Sequence, residues 1–319
     1  MKNVLIVTHR HGFEADPVID GLRKLDIPVF RFNLDDGKSA SRSTIILGPN
    51  DNGQVELFCD NRSIIGAEIG VGWCQQLWPY IGQVADQKVC LQRGNLLALQ
   101  AGSFDLIPAP WLNHPAKVRP AAGKIWQLAC ARLVGLGIPE TMVSNDPGDI
   151  RRFCSQFPTI AKNLATPWIV GEQSVKAAYT KRVRDEWLEN DSALSFSPVI
   201  YQRFHKRKRD IRVVVIGDKI FAAECLPNTA QIEDVRLHGV TGKGFTSCDF
   251  DEKLTVQLLA LMGMLSIEYC SADFIEDEAG GLYFLEANVC GAWWWVDRLY
   301  GGAICQAIVD YLHSRLVNE

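Results

Sequence analysis

Val4-Leu5-Ile6-Val7 is an unbroken apolar run of β-favouring residues, the pattern of a strand buried on both faces. The polar turn His9-Arg10-His11-Gly12 separates it from a helical pattern starting near Asp16, with Val18, Ile19, Leu22 and Leu25 on one face. Val29-Phe30-Arg31-Phe32 reads as a second strand. Strand, helix and strand joined by short connections predict a parallel βαβ opening. Strand candidates follow at Ser43–Leu47 and Val55–Cys59, with Asp51-Asn52-Gly53 as a turn signal. The proline-dense stretch from Pro108 to Pro115 closes this region with a stiff extended connection. Beyond it, a helix is predicted from Lys124 to about Leu136 and another starting at Asp146-Pro147. Thr159–Lys162 and Val199–Tyr201 are strand-like. Ile211–Ile216, turning at Gly217-Asp218 into Ile220–Ala223, is the clearest hairpin. Leu254, Leu258, Leu261 and Leu265 line one face of a helix over about 251–265. Strands at Tyr269–Ile275 and Leu282–Ala287 follow, then a helix at Ile304–Leu316.

Composition narrows the function. Hydrophobic residues make up 47% and charged residues 22% of 319, an ordinary globular balance. A formal net charge of −4 argues against a protein built to bind nucleic acid. The run His205-Lys206-Arg207-Lys208-Arg209 is basic, and we expect it to be a solvated turn or edge. Ten cysteines occur without a C-x-x-C pair, which offers neither a zinc ribbon nor a thioredoxin motif and favours a reducing compartment. The first apolar run is too short for a signal peptide's core, and no apolar stretch approaches a membrane span. The expectation is a cytoplasmic protein with no nucleic-acid or membrane partner.

Candidate chemistry concentrates in the last third. Asp273 lies in Ser271-Ala-Asp-Phe-Ile275, and Glu286 and Asn288 in Tyr283-Phe-Leu-Glu-Ala-Asn288. The two-residue period of paired strands lets all three face one side. Two carboxylates and a carboxamide there suit Mg²⁺, a hard cation that takes oxygen ligands and phosphate. Read from spacing alone, a metal site and a solvated acidic hairpin both stay open.

Lys124, Lys162, the hairpin Asp210-Ile-Arg-Val-Val-Val-Ile-Gly-Asp218, Asp273 and Leu285-Glu-Ala-Asn288 occur in the order and approximate spacing of the ATP-grasp superfamily. The resemblance covers about residues 110–319. It is nearest the RimK-type branch, in particular the graspetide (microviridin-type) peptide maturases. Supporting segments include Val4-Leu-Ile-Val-Thr8, Phe30-Arg-Phe-Asn33, Trp111-Leu-Asn113, Lys124-Ile-Trp-Gln-Leu128, Gly137-Ile-Pro-Glu-Thr141, Ser144-Asn-Asp-Pro147, Asp234-Val-Arg236 and Asn288-Val-Cys-Gly291 before Trp293-Trp-Trp295. The resemblance implies an α/β (α+β) ATP-grasp fold in three parts. These are an N-terminal βαβ pre-ATP-grasp lobe over 1–115, a small central subdomain over 116–200, and a C-terminal antiparallel-sheet subdomain over 201–319 with the Mg-ATP site.

The same resemblance assigns roles. Lys124 and Lys162 would hold ATP phosphates, and Asp273, Glu286 and Asn288 would hold Mg²⁺. Tyr201-Gln202-Arg203-Phe204 would link the two ATP-binding lobes and meet adenine through its backbone, with Arg203 standing where relatives carry an acid. Arg212 would contact the transferred phosphate; pairing with Asp210 or Glu224 is its structural alternative. Arg236 would face an acidic substrate core, and Glu233 and Asp234 would receive a precursor peptide's leader, although valine replaces the family's tryptophan between Asp234 and Arg236. Residues 163–174 would form a flap over the phosphates. Trp293–Trp295 reads either as packing, which we expect, or as an aromatic platform. Trp73-Cys-Gln-Gln76 departs from relatives, which follow the tryptophan with paired arginines.

The implied activity is carboxylate activation as an acyl phosphate, with the acyl group passed to a hydroxyl or amine. The substrate is expected to be a ribosomally made precursor peptide cross-linked through its side chains, and the enzyme a homodimer. The alternatives are a RimK-like ligase acting on a small carboxylate substrate or protein terminus, and a non-catalytic ATP-binding module.

Overall fold

The computed structural model describes residues 2–34, 41–49, 53–77, 87–165, 168–170, 175–177, 180–226 and 244–317. The opening pattern folds as its periodicity requires. Strand β1 (Asn3–Thr8) runs parallel to β2 (Val29–Asn33), with α1 (Ala15–Arg23) crossing between them and burying Val18, Ile19 and Leu22. A small antiparallel sheet, β3 (Ser41–Ile46), β4 (Gln54–Cys59) and β5 (Arg62–Ile65), leads to β6 (Ile69–Cys74), which lies parallel to β1 on the side away from β2. Helix α2 (Gln87–Asp105) and the two-residue strand β7 (Trp111–Leu112) complete the order β2-β1-β6-β7.

Strand β6 has no counterpart among the sequence expectations. Its residues, Ile-Gly-Val-Gly-Trp-Cys, alternate with glycine and so lack a continuous apolar run. The glycine is required by packing: a Cβ on Gly72 would come within 2.4 Å of the Trp111 ring.

Next come α3 (Pro115–Ala121) and α4 (Lys124–Leu133). A second sheet follows, built from β8 (Thr141–Ser144), β9 (Thr159–Lys162), β12 (Lys181–Arg182) and β13 (Val199–Arg203) in the order β12-β9-β13-β8. Helix α5 (Pro147–Gln156) starts where predicted, capped by Asp146, whose side chain accepts from the Asp149 N–H at 2.8 Å. The hairpin β10 (Trp168–Val170) and β11 (Val175–Ala177) and the short helices α6 (Asp185–Leu188) and α7 (Asp191–Ser195) accompany this sheet.

The third sheet is antiparallel and five-stranded. Its strands are β14 (Arg207–Ile216), β15 (Lys219–Cys225), β16 (Phe245–Cys248), β17 (Tyr269–Asp277) and β18 (Leu282–Asn288), in the order β16-β15-β14-β17-β18. Helix α8 (Glu252–Leu265) buries Leu258, Leu261 and Leu265 against one face, as its leucine spacing requires. The short α9 (Trp294–Asp297) leads to α10 (Ala303–Val317), which packs on α1 and β6. One buried cluster thus contains Val4, Ile6, Trp73, Val214, Tyr269 and Leu312, joining the first strands to the last helix.

The basic run meets its expectation only in part. Lys206 and Lys208 are solvent-exposed, but Arg207–Arg209 open β14, an inner strand of the sheet, and the cations lie against acids: Lys206 on Glu278 at 2.7 Å, Arg207 on Asp210 at 2.9 Å, Lys208 on Glu276 at 2.6 Å, and Arg209 on both Glu224 and Glu276. Glu224 and Glu276 come from the neighbouring strands β15 and β17 and were hidden from a local reading, whereas Asp210 lies three residues past Arg207 in β14 itself and Glu278 just past the end of β17. All ten cysteines are free thiols. Among the described residues, no helix is long and apolar enough to cross a membrane.

Candidate active site

Pairing of β17 with β18 sets Asp273 opposite Glu286 and Ser271 opposite Asn288, so these side chains share one face of the sheet. The Asn288 carboxamide bridges the acids, its Nδ2 lying 3.3 Å from Asp273 Oδ2 and 3.5 Å from Glu286 Oε1. On the other flank, β14 sets Arg212 opposite Asp273, and Arg212 Nε donates to Asp273 Oδ1 at 2.7 Å. Pairing of Arg212 with Asp210 or Glu224 is therefore set aside, because Arg207 holds Asp210 and Arg209 holds Glu224. The Arg212 guanidinium also stands 5.9 Å from the Trp295 ring centre.

Two lysines from different elements act on Glu286, Lys124 by direct contact and Lys162 through its charge. Lys124, the first residue of α4, places Nζ 3.1 Å from Glu286 Oε2. Lys162 ends β9 and lies opposite Ile200, on the face away from the cluster that buries Tyr201. Burial alone would raise the Glu286 carboxyl, but Lys124, Lys162 and Arg212 together outweigh it and hold it below the usual range. Glu286 is thus kept as a carboxylate by the three cations around it.

Gln202 is fully buried in β13 and faces the same side as Lys162. Its Nε2 donates to Thr141 Oγ1 at 2.8 Å, while its Oε1 has no protein partner. Arg203 turns outward, against Glu140 Oε1 at 3.0 Å and over the Phe157 ring. Phe204 lies under the Arg182 guanidinium at 4.4 Å. The N–H groups of Arg203 and Phe204 are spent on the Glu140 and Pro158 carbonyls, so any backbone contact to a base from this stretch falls to other groups. Glu233, Asp234 and Arg236 lie outside the described residues, as does part of the expected flap, including Gly171.

Three supporting residues were given no role by the sequence reading, although Asn113 and Gln127 lie in segments that carry the resemblance. Asn113 has a left-handed backbone, φ +57°, and its carboxamide meets four backbone groups. Nδ2 donates to the Tyr269 and Val289 carbonyls at 2.7 Å, and Oδ1 accepts from the Glu268 and Tyr269 N–H groups. Gln127 is buried on α4 and bonds both backbone groups of Ala287. Glu14 accepts from the Trp293 and Trp294 N–H groups at 3.0 and 3.2 Å, with Gln75 beside it. Burial pushes the Glu14 carboxyl up against the pull of these donors. The available signal was a polar residue inside an apolar stretch, as at Gln127 between Trp126 and Leu128. Trp293 is buried, Trp294 packs on Phe13 and Trp295 on Phe245, so the tryptophan run is packed.

Among the described residues, no three His, Cys, Asp or Glu side chains gather about one point. A cation here would rest on two carboxylates and a carboxamide, which are hard oxygen donors of the kind Mg²⁺ accepts. The ionised Glu286 and the cations beside it fit a metal carried in with a polyanion. The partnerless, buried Gln202 Oε1 adds an acceptor suited to an amino group.

No family model matches the chain. The tetrahydromethanopterin:alpha-L-glutamate ligase of Methanococcus maripaludis is 30% identical over 102 residues, 32% of this chain and 33% of that protein. The match thus spans about a third of this curated relative. Likeness to solved structures runs nearly end to end. A RiPP-associated ATP-grasp ligase of Chryseobacterium gregarium, in complex with ADP and a leader and core peptide, superposes with a TM-score of 0.87 at 24% identity, covering 99% of this chain and 97% of that one. The macrocyclase MdnB of Microcystis aeruginosa superposes with a TM-score of 0.80 at 26% identity, covering 97% of this chain and 99% of that one. Shared architecture over almost every residue gives this chain the ATP-grasp fold of these ligases.

Proposed function

We propose that the protein is an ATP-dependent ligase that activates side-chain carboxylates of a ribosomally made precursor peptide and joins them to hydroxyl or amino groups of the same peptide. The observation that carries this reading is the convergence of Lys124, Lys162 and Arg212 on Glu286, with Asp273 and Asn288 alongside.

ATP enters as co-substrate. The two ammonium groups offer compact charges to its phosphates, and the planar Arg212 guanidinium suits a phosphoryl group in transfer. Gln202 Oε1 is the acceptor we assign to the exocyclic amine of adenine. Asp273, Glu286 and Asn288 are the residues that would hold Mg²⁺. Bound there, the ion would neutralise charge on the β- and γ-phosphates. The peptide carboxylate takes the γ-phosphoryl group, giving an acyl phosphate and ADP; the hydroxyl or amine then attacks the acyl carbon and releases phosphate. No protein nucleophile is needed, and positioning with electrostatics supplies the rate. Arg236, Glu233 and Asp234 are assigned to the peptide, and a homodimer is the expected assembly.

Incubation with ATP and the peptide encoded by an adjacent short reading frame tests the proposal. Mass spectrometry should show loss of one water per bond formed, with stoichiometric ADP. A mass gain equal to an added amino acid would instead assign a RimK-like ligase, the reading favoured by the identity with a glutamate ligase. No ADP with any peptide would refute both.

A further inference from the structure

We infer that Gln127 is a positioning residue that completes the open edge of β18 and locks the proposed metal ligands to the phosphate lysine of α4. The inference rests on the reading of this site as one for Mg-nucleotide.

Among the described residues strand β18 is an edge of its sheet, so no described strand pairs with its outward N–H and C=O groups. Ala287 lies opposite Ala272, between Glu286 and Asn288. Both of its backbone groups are taken by one side chain. The Ala287 N–H donates to Gln127 Oε1 at 2.9 Å, and Gln127 Nε2 donates to the Ala287 carbonyl at 2.7 Å. The second Nε2 proton goes to the Ala121 carbonyl at 2.6 Å. A carboxamide carries the same donor–acceptor pair as a peptide unit, so Gln127 stands in for the missing strand at the residue between two ligands. It is buried, with 1% of its surface exposed, so water does not compete for these bonds.

The same helix delivers Lys124. Residues three apart lie on one helix face, so Gln127 grips the backbone of β18 while Lys124 reaches the Glu286 carboxylate. Past the end of α4, the Gly137 carbonyl accepts from the Phe284 N–H at 2.8 Å, securing the strand a second time. Lys124, Glu286 and Asn288 are thus parts of one rigid unit, which holds a phosphate-binding charge at a fixed separation from the metal donors.

Amide hydrogen exchange of the wild-type protein tests the clamp directly. The Ala287 N–H should be protected like the interior of β17; exchange at the rate of an exposed strand edge would overturn the inference. Calorimetry of Gln127→Ala and Gln127→Glu with ADP, with and without Mg²⁺, tests its consequence. Glu keeps the acceptor but cannot donate to Ala287. Both variants should lose about tenfold in affinity for Mg-ADP and much less for ADP alone. The control is Gln257→Ala, which removes the bond from Gln257 Nε2 to the Gly135 carbonyl at the far end of α4. It should leave the Mg²⁺ dependence intact at a similar loss of thermal stability. Folded Gln127 variants with wild-type Mg²⁺ dependence would sink the positioning role. A wild-type protein with no Mg²⁺-dependent nucleotide uptake would instead sink the reading of the site.

Discussion

Glu286→Gln separates the two tasks we propose for this carboxylate, balancing three cations and holding a metal. At 3.1 Å from Lys124, the gross attraction is about 5 kcal/mol at an effective dielectric of about 20. Most of that is returned as desolvation, because Glu286 and Lys124 are both largely out of water. The net value expected of such a charge-assisted hydrogen bond is about 1.5–3 kcal/mol, and glutamine keeps an oxygen for Lys124. The variant should therefore lose about 1–2 kcal/mol and melt a few degrees lower in the absence of ligand. Its pH profile should change as well. The folded-state pKa lies below the ordinary carboxylate value, so the stability due to Glu286 is complete above that value and fades as pH falls through the folded one. The variant lacks that acid limb. Nucleotide binding should split in the opposite way. Removing an anion leaves Lys124, Lys162 and Arg212 free to attract ADP alone, while the gain from adding Mg²⁺ collapses. Differential scanning calorimetry with and without ADP and Mg²⁺ reads both effects. At a hundredfold excess over Kd, the wild type should gain about 2.7 kcal/mol. An unchanged Mg²⁺-dependent shift in Glu286→Gln would refute the assignment.

Three further outcomes follow from the same geometry. Lys162→Met removes one cation acting on Glu286 and should weaken nucleotide binding by about ten- to a hundredfold in equilibrium titration, the range of a charge-assisted hydrogen bond. Gln202→Leu deletes the partnerless buried acceptor and should narrow discrimination of ATP over GTP by about tenfold, measured by competition. Glu14→Gln should flatten a pH dependence of opposite sign. The folded Glu14 pKa is raised, so its contribution is full below the unfolded value and declines as pH rises to the folded one, which melting curves across that interval would register.

Local periodicity carries most of the elements because their burial is simple. Strand β1 is apolar from Val4 to Val7, α8 repeats leucine along one face, and β14 with β15 turns at a glycine with φ +58°. What periodicity hides is whatever a distant segment completes. Strand β6 is a buried strand with glycine at two of its six positions, intelligible only once Trp111 lies over Gly72. Asp273, Glu286 and Asn288 were visible as a hairpin with a common face, and the register brings them together. The roles of Asn113, Gln127 and Glu14 were not visible, since each bonds to backbone more than 150 residues away. A hydrogen bond to a main-chain group leaves no side-chain partner in the sequence to suggest it.

The two basic features of the chain show why charge count is a poor guide to binding. In the 205–209 run, Lys206, Arg207, Lys208 and Arg209 all lie against carboxylates, so the run projects little field and serves the sheet. At the site, Lys124, Lys162 and Arg212 act on Asp273 and Glu286, three cations against two anions, leaving one positive charge among partly buried side chains. A polyphosphate bound without metal would overturn that balance, since its own charge exceeds the surplus. A divalent ion brought with it would restore the balance and engage the two acids already in place. Nucleotide and metal should therefore bind with positive coupling, and by linkage each should raise the affinity of the other by the same factor. Equal factors from titrations run in the two orders would support this electrostatic account. Nucleotide binding that is as tight without the ion would show that the two carboxylates serve the sheet rather than the ligand.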